Sequence, residues 1–233
     1  MNESRARIEE NLHSVVERIH AAANRAGRRA DEITLIAVTK YAKLEWIQEL
    51  VSLGQLNLGE NRPQQLWERS EVLPTSIHWH LIGHLQSNKV RRVLPLVHAI
   101  HSVDSVKLLR SISRTGAELS LTPKLLLEVN VTGEVTKDGF TPDEIRRQWG
   151  DICACEQVQI LGLMTMAAPG ENPDDARPAF QQLRKLRDDL QRNSPASMLL
   201  SHLSMGMTGD FEVAIEEGAT FVRIGSALFE GLA

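Results

Sequence analysis

Ile33-Thr34-Leu35-Ile36-Ala37-Val38-Thr39-Lys40 is a nearly unbroken apolar, β-branched run that ends abruptly in a lysine. A run of this character reads as a strand buried on both faces, as in a parallel sheet covered by helices. Lys40 then sits where a buried strand surfaces, and an amine held at such a rim is placed to form a Schiff base with an aldehyde. A lysine that only snorkels its ammonium into water explains the same residues. The decision rests on what else reaches that rim.

Upstream, Ile8, Leu12, Val15, Val16, Ile19, Ala22 and Ala23 recur at three- and four-residue steps, which predicts one amphipathic helix over residues 5–26, stopped by Gly27. Downstream, helical and strand-like segments alternate. Residues 44–51 read as a helix, 56–59 as a short strand, and Pro63 opens a helix with Leu66 and Trp67 on its inner face. Further strands are predicted at Ile77–Gly83, His98–Asp104, Lys124–Val131, Gln159–Met166, Leu199–Gly206 and Thr220–Gly225, with helices between them. Eight buried strands, each followed by a helix, with no Gly/Pro-rich linker, predict an α/β fold: a single (β/α)8 TIM barrel over residues 1–233 with an extra N-terminal helix. The competing doubly wound sheet needs a glycine-rich first turn, and Val38-Thr39-Lys40-Tyr41 has no glycine.

A net charge of -4 over 233 residues gives no whole-surface attraction to nucleic acid. No apolar run is long enough to span a bilayer, and the start Met1-Asn2-Glu3-Ser4-Arg5 leads into an amphipathic segment rather than a signal-like one. A cytoplasmic protein with no nucleic-acid and no membrane partner is expected. Cys153 and Cys155, one residue apart inside a predicted helix, point away from each other and read as small packed side chains of a reducing compartment, not as a disulfide. His78, His80 and His84 lack a placed carboxylate or thiolate to complete a zinc site, so packed or hydrogen-bonded histidines are expected and no metal. Lys89, Arg91 and Arg92 read as a solvated face, and Lys43 as an exposed lysine beyond the strand end.

In a barrel of this type the strand C-termini open on one face, and that face carries the site. Those ends collect Lys40, Asn61, His84, Asn130, Met166, Ser204, Gly206, Arg223, Gly225 and Ser226. Ser204-Met205-Gly206-Met207-Thr208-Gly209 and Ile224-Gly225-Ser226-Ala227 each combine glycine, a hydroxyl and an incoming helix N-terminus, the makings of a phosphate cradle. Arg223 lies inside an otherwise apolar strand, where an unpaired guanidinium is costly. It reads either as a buried ion pair with Glu60 or Glu128 or as a donor to a ligand ring nitrogen. An imine-forming lysine, a phosphate cradle and a cation for a pyridine nitrogen together describe pyridoxal 5'-phosphate (PLP).

Ala37-Val38-Thr39-Lys40, Gly59-Glu60-Asn61, the run from His78 to Lys89, Gly162-Leu163-Met164, Leu203-Ser204-Met205-Gly206-Met207-Thr208 and Arg223-Ile224-Gly225-Ser226 resemble the pyridoxal-phosphate homeostasis proteins. The likeness spans nearly the whole chain. It implies a fold-type III barrel like the N-terminal domain of alanine racemase, with Lys40 as the Schiff-base lysine and Arg223 at the pyridine nitrogen. It implies that Ser204, Gly206, Thr208, Gly225 and Ser226 belong to the phosphate site and that Asn61 and His84 line the cofactor. Thr39, Thr208 and Ser226 exchange one hydroxyl residue for another relative to the family, and the loop Lys137-Asp138-Gly139-Phe140 is recognisable but altered.

The related racemases need a second acid/base group from a partner subunit and an additional β domain. This chain ends at Ala233, and its one tyrosine, Tyr41, adjoins Lys40 in sequence. An arginine at the ring nitrogen also weakens the electron sink. A monomeric PLP-binding protein without catalytic residues, serving storage or delivery of the cofactor in vitamin B6 homeostasis, is therefore expected in preference to a PLP-dependent amino-acid racemase. Apo PLP-enzymes or free amino acids would be its other partners.

Overall fold

The computed structural model describes residues 3–134, 138–168 and 170–232. Its strands are β1 Thr34–Val38, β2 Asn57–Glu60, β3 His78–Leu81, β4 Val97–Val103, β5 Lys124–Glu128, β6 Gln159–Met164, β7 His202–Ser204 and β8 Phe221–Ile224. They pair in parallel and in chain order, and β8 returns to β1 to close the barrel. The expected TIM-barrel architecture is therefore the observed one.

Along β1, β5 and β8 residues alternate between two environments, as the period of two requires, whereas register shifts interrupt the pattern on β4 and β6. Leu35, Ala37, Leu58, Leu127, Leu163 and Val222 face outward into one large core shared with the helices. Ile36, Leu126, Met164 and Phe221 form a separate, smaller cluster inside the barrel. On β5 the inward row is Lys124, Leu126, Glu128, and on β8 it is Phe221 and Arg223, continued by Gly225 just past the strand, so the lumen is apolar at mid-height and polar towards both mouths.

The N-terminal helix α1 spans Glu3–Arg25 and buries Ile8, Val15, Ile19, Ala22 and Ala23. Helices α2, Leu44–Ser52, and α3, Pro63–Val72, follow β1 and β2. The expectation of a helix after every strand fails at β8, which is followed only by a 3-10 turn, Ser226–Phe229. Helix α1 takes the flank that an eighth helix would cover, packing on that turn and on the helix Phe211–Glu216. Asn11 donates to the carbonyls of Leu228 and Glu230 at 3.3 and 2.9 Å, and Arg28 to those of Ile215 and Ala219 at 2.9 and 2.8 Å. The N-terminal helix is thus part of the barrel wall.

The seventh strand is shorter than the run Leu199–Gly206 suggests. The Leu200 N–H is taken by the Gln191 side chain at 2.6 Å, which keeps residues 199–201 off the ladder. At the other end Gly206 adopts φ +93°, a left-handed conformation that turns the chain away; an added Cβ would stand 2.6 Å from that of Ala214.

If α1 completes the wall, Ile8→Ala should lower the unfolding free energy by about 3 kcal/mol, as for any fully buried aliphatic truncated to alanine. Urea unfolding measures this, and a loss below about 0.5 kcal/mol, the size expected of a surface change, would show that α1 is merely appended.

Candidate functional site

Beyond the end of β1 the chain turns through Thr39 to Ala42, and that turn is held from α3. Arg69 donates to the Thr39 carbonyl and the Ala42 carbonyl, each at 3.0 Å, and Gln65 donates to the Lys40 carbonyl at 3.1 Å. The countercharge is Glu60 at the end of β2, fully buried, which accepts from both Arg69 and the Thr39 hydroxyl. Burial raises the proton affinity of Glu60, opposed by the Thr39 hydrogen bond and the Arg69 charge. The backbone of Lys40 is thereby fixed while its side chain remains half-exposed, with Nζ 5.0 Å from the centroid of the Tyr41 ring.

Lys40 opens on a cavity of about 630 Å³ at the C-terminal mouth of the barrel. Closure of β8 on β1 brings Arg223, Gly225 and Ser226 to the same cavity, β2 delivers Asn61, and the loop after β7 delivers Met207, Thr208 and Gly209. Gly225 lies against β1, where a Cβ would sit 3.1 Å from the Val38 carbonyl oxygen. The Ser226 hydroxyl donates to that of Thr208 at 3.1 Å, joining the two glycine-containing loops. Val38, Ile82, Trp46, Met166 and Phe229 make the apolar walls, and among the described residues no carboxylate lines the cavity.

Arg223 is 4% exposed. Of the two alternatives open in the sequence, the ion pair with Glu60 is ruled out because Arg69 holds that carboxylate. Arg223 instead donates to the Ser204 hydroxyl at 2.6 Å and to the Thr165 carbonyl at 2.9 Å, both neutral acceptors. Burial lowers its pKa to about 10, against the opposing charges of Glu128 and Asp210, so the guanidinium stays charged at neutral pH.

Arginine has only donors, which fixes the direction of the bonds beneath it. Ser204 accepts from Arg223 and can donate to His101 Nδ1 at 2.8 Å. His101 Nε2 then donates to His80 Nδ1 at 2.9 Å, and His80 Nε2 to the Asn57 side-chain oxygen at 3.3 Å. Both histidines must be neutral in this relay. Burial depresses the pKa of His80 to about 3, with His98 and His78 adding to it, and holds His101 well below the ordinary value.

Of the residues expected at the site, Lys40, Asn61, Thr208, Arg223, Gly225 and Ser226 line the cavity. Ser204 is wholly buried beneath Arg223, Gly206 shapes the loop behind Thr208, and His84 stands apart, 3.3 Å from Asp104 and 3.8 Å from Asp138. Asn130 is engaged in its own loop, donating to the Glu134 carbonyl at 2.7 Å. Within the loop Thr132 to Phe140, residues 135–137, and hence Lys137, lie outside the described residues. Sequence reading passed over Arg69, Gln65 and His101. Glu60 at a strand end was the available signal for Arg69, since a buried carboxylate needs a cation and the next helix offers one.

The donor set suits a phosphorylated aldehyde of an aromatic nitrogen heterocycle: one amine, one guanidinium with no carboxylate on the cavity side, two mutually bonded hydroxyls and loop backbone against apolar walls. Glu128, at the end of β5, has its pKa raised to about 7, by burial first and then by Asp104 and Asp138, against the pull of Arg223.

The family model described as the N-terminal domain of alanine racemase matches residues 11–232. A protein of Aquifex aeolicus named pyridoxal phosphate homeostasis protein is 43% identical over 221 residues, 94% of this chain and 96% of that protein. A crystal structure of an unknown protein from Bifidobacterium adolescentis superposes with a TM-score of 0.89 at 38% identity, covering 98% of this chain and 96% of that one. The structure of PipY from Synechococcus elongatus with PLP bound superposes with a TM-score of 0.81 at 36% identity, covering 92% of this chain and 99% of that one.

Two outcomes follow from the buried charges. Arg69→Leu strands Glu60 in the wall and frees the Lys40 turn, and should cost on the order of 3 kcal/mol in urea unfolding, whereas Glu60→Gln with Arg69→Leu recovers part of the loss. Glu128 binds its proton more tightly folded than unfolded, so the folded chain carries the extra proton between pH 4.5 and about 7 and loses stability as pH rises through that window. The unfolding free energy of the cofactor-free protein should fall by on the order of 3 kcal/mol across it, and Glu128→Gln should flatten the slope.

Proposed function

The chain belongs to the alanine racemase N-terminal domain family and, within it, to the pyridoxal phosphate homeostasis proteins, and on that premise we propose that it carries PLP in the Lys40 cavity. The observation that carries this reading is the placement of one lysine amine, one buried guanidinium and two paired hydroxyls around a single cavity without a lining carboxylate. Bound PLP supplies an aldehyde that condenses with a lysine amine, a pyridine nitrogen and a phosphate dianion. Lys40 provides the amine, on a turn that Arg69 and Gln65 of α3 hold in place.

Arg223 is assigned to the ring nitrogen, and it reaches that role already oriented from below by Ser204 and the Thr165 carbonyl. Thr208, Ser226 and the backbone at Gly209 and Gly225 are assigned to the phosphate, Asn61 to the edge of the ring. Ser204 and Gly206 act through Arg223 and the loop respectively, and His84 is left out of the contact set. A guanidinium that remains charged keeps its protons and does not protonate the pyridine, which suits holding the cofactor better than stabilising a carbanion. Tyr41, 86% exposed, lies beside Lys40 at the mouth, its ring centroid 5.0 Å from Nζ.

On this reading the protein stores or delivers the cofactor as a cytoplasmic monomer, with apo PLP-enzymes as recipients and free amino acids as the amines that compete with Lys40. Among the described residues no helix is long and apolar enough to cross a membrane.

Incubation with PLP should turn the protein yellow, borohydride should fix the chromophore, and peptide mapping should place it on Lys40. Lys40→Ala should lose the fixed adduct. A protein that stays colourless, or an adduct that survives in Lys40→Ala, would overturn the assignment.

A further inference from the structure

The strands also begin around a cavity, of about 470 Å³, at the opposite mouth of the barrel. Its walls include Asn57, His98, Lys124 and His202, and its floor is made by His80 and Phe221. The apolar layer of Ile36, Leu126 and Met164 separates it from the Lys40 cavity.

The charge pattern of this mouth is one-sided. Most arginines of the described surface have a carboxylate within ion-pair distance; Arg177, for example, meets Asp174, Glu216 and Glu217 at 2.7, 2.8 and 3.0 Å. Lys124 has no carboxylate partner among the described residues, and no acid lines the cavity around it. His98 and His202 both face it. Burial holds each of them below the ordinary histidine range, and the Lys124 charge adds to the effect in both. His78 stacks on His98 with centroids 4.8 Å apart, so β4, β5 and β7 bring a cation or an imidazole that can become one to the cavity, while the other strands bring neutral groups, His80 of β3 included.

Protonation of His98 or His202 beside Lys124 gathers like charges at a concave mouth, and an oxyanion placed among them offsets that repulsion while accepting their hydrogen bonds. The floor beneath these groups is fixed in place. His80 is fixed by its bonds to Asn57 and His101, and Phe221 stacks on His202 at 4.7 Å and 29°.

We propose that the N-terminal mouth of the barrel is a second binding site, which holds a small phosphate- or carboxylate-bearing anion between Lys124, His98 and His202. The proposal does not rest on the Lys40 cavity and would stand if PLP binding were refuted. An anion there favours the protonated imidazoles, so binding tightens as pH falls into the histidine range.

The test is a titration of the full chain with inorganic phosphate and, separately, with succinate, followed through the ring-proton NMR signals of His98 and His202. It is run on untreated protein and on protein whose Lys40 cavity has been filled with PLP and fixed with borohydride, which removes binding to the other mouth from the measurement. Saturable shifts with either anion in both preparations, weakened about tenfold in Lys124→Gln and strengthened from about pH 8 to about pH 6, would support the site, and the stronger of the two anions identifies its chemistry. Shifts that never saturate, or that are the same in Lys124→Gln, would mean an adventitious ion only and overturn the proposal. Because Lys124 is half-exposed at a strand start, an unchanged melting temperature for Lys124→Gln keeps the comparison free of unfolding.

Discussion

The seam between β1 and β8, running from Thr34 opposite Phe221 to Ala37 opposite Ile224, is the constraint on which the candidate site depends. These strands are the first and last in the chain, so no local signal joins them; only closure of the barrel does. In that register Arg223 lies beside Ile36 and faces the lumen, and Gly225 abuts Val38 just before the Lys40 turn. A slip of one residue would send Arg223 to the outer core and bring Val222 inward. The burial of Val222 among the helix-facing residues, and of Ile36 among the lumen residues, opposes such a slip on both strands at once.

With the register set, a barrel this narrow must fill its lumen with side chains, and here it does so with polar groups at both ends and hydrocarbon between. Arg223 is tolerable inside because each acceptor it meets is already oriented: a strand-end carbonyl at Thr165 and a serine whose hydroxyl has a histidine to serve. The two neutral histidines then carry the donor direction down to Asn57, so none of the polar atoms in the relay is left without a partner. The same histidine row forms the floor of the opposite cavity. One chain of hydrogen bonds thus satisfies the buried cation from below and sets the shape of the far mouth.

Much of this architecture was legible in the sequence because it is periodic. Residues 33–40 announce a strand buried on both faces, and Arg223 is conspicuous as a charge in an apolar strand. Closure of the barrel then places Lys40, Arg223 and the loops around Thr208 and Ser226 together, as the order of strands requires. What periodicity does not encode is the partner of each buried charge. Glu60 and Glu128 were equivalent candidates for Arg223; the structure gives Glu60 to Arg69, nine residues on, because α3 folds back over the β1 turn. Likewise the length of β7 is decided by the Gln191 side chain from a neighbouring helix, and the missing eighth helix is replaced by one from the other end of the chain. Each of these is a through-space competition that a one-dimensional pattern does not contain. His84, in a distinctive motif, is paired with Asp104, a partner that the motif does not announce.

The distribution of rigidity around the cavity bears on what the site is built to do. The turn that carries Lys40 is fixed by three side-chain bonds from α3, and Arg223 is fixed by two from below, so the groups that would grip a cofactor are held before it arrives. The mouth is different: Tyr41 and Leu44 are exposed on one side, Met166 and Met207 on the other. Chemistry on an amino acid gains from excluding water and needs acid/base groups on both faces of the substrate. An open mouth does not exclude water, and it lets an incoming amine approach Lys40 from solvent. Affinity without enclosure is the property a cofactor reservoir requires, since what is held must also be given up.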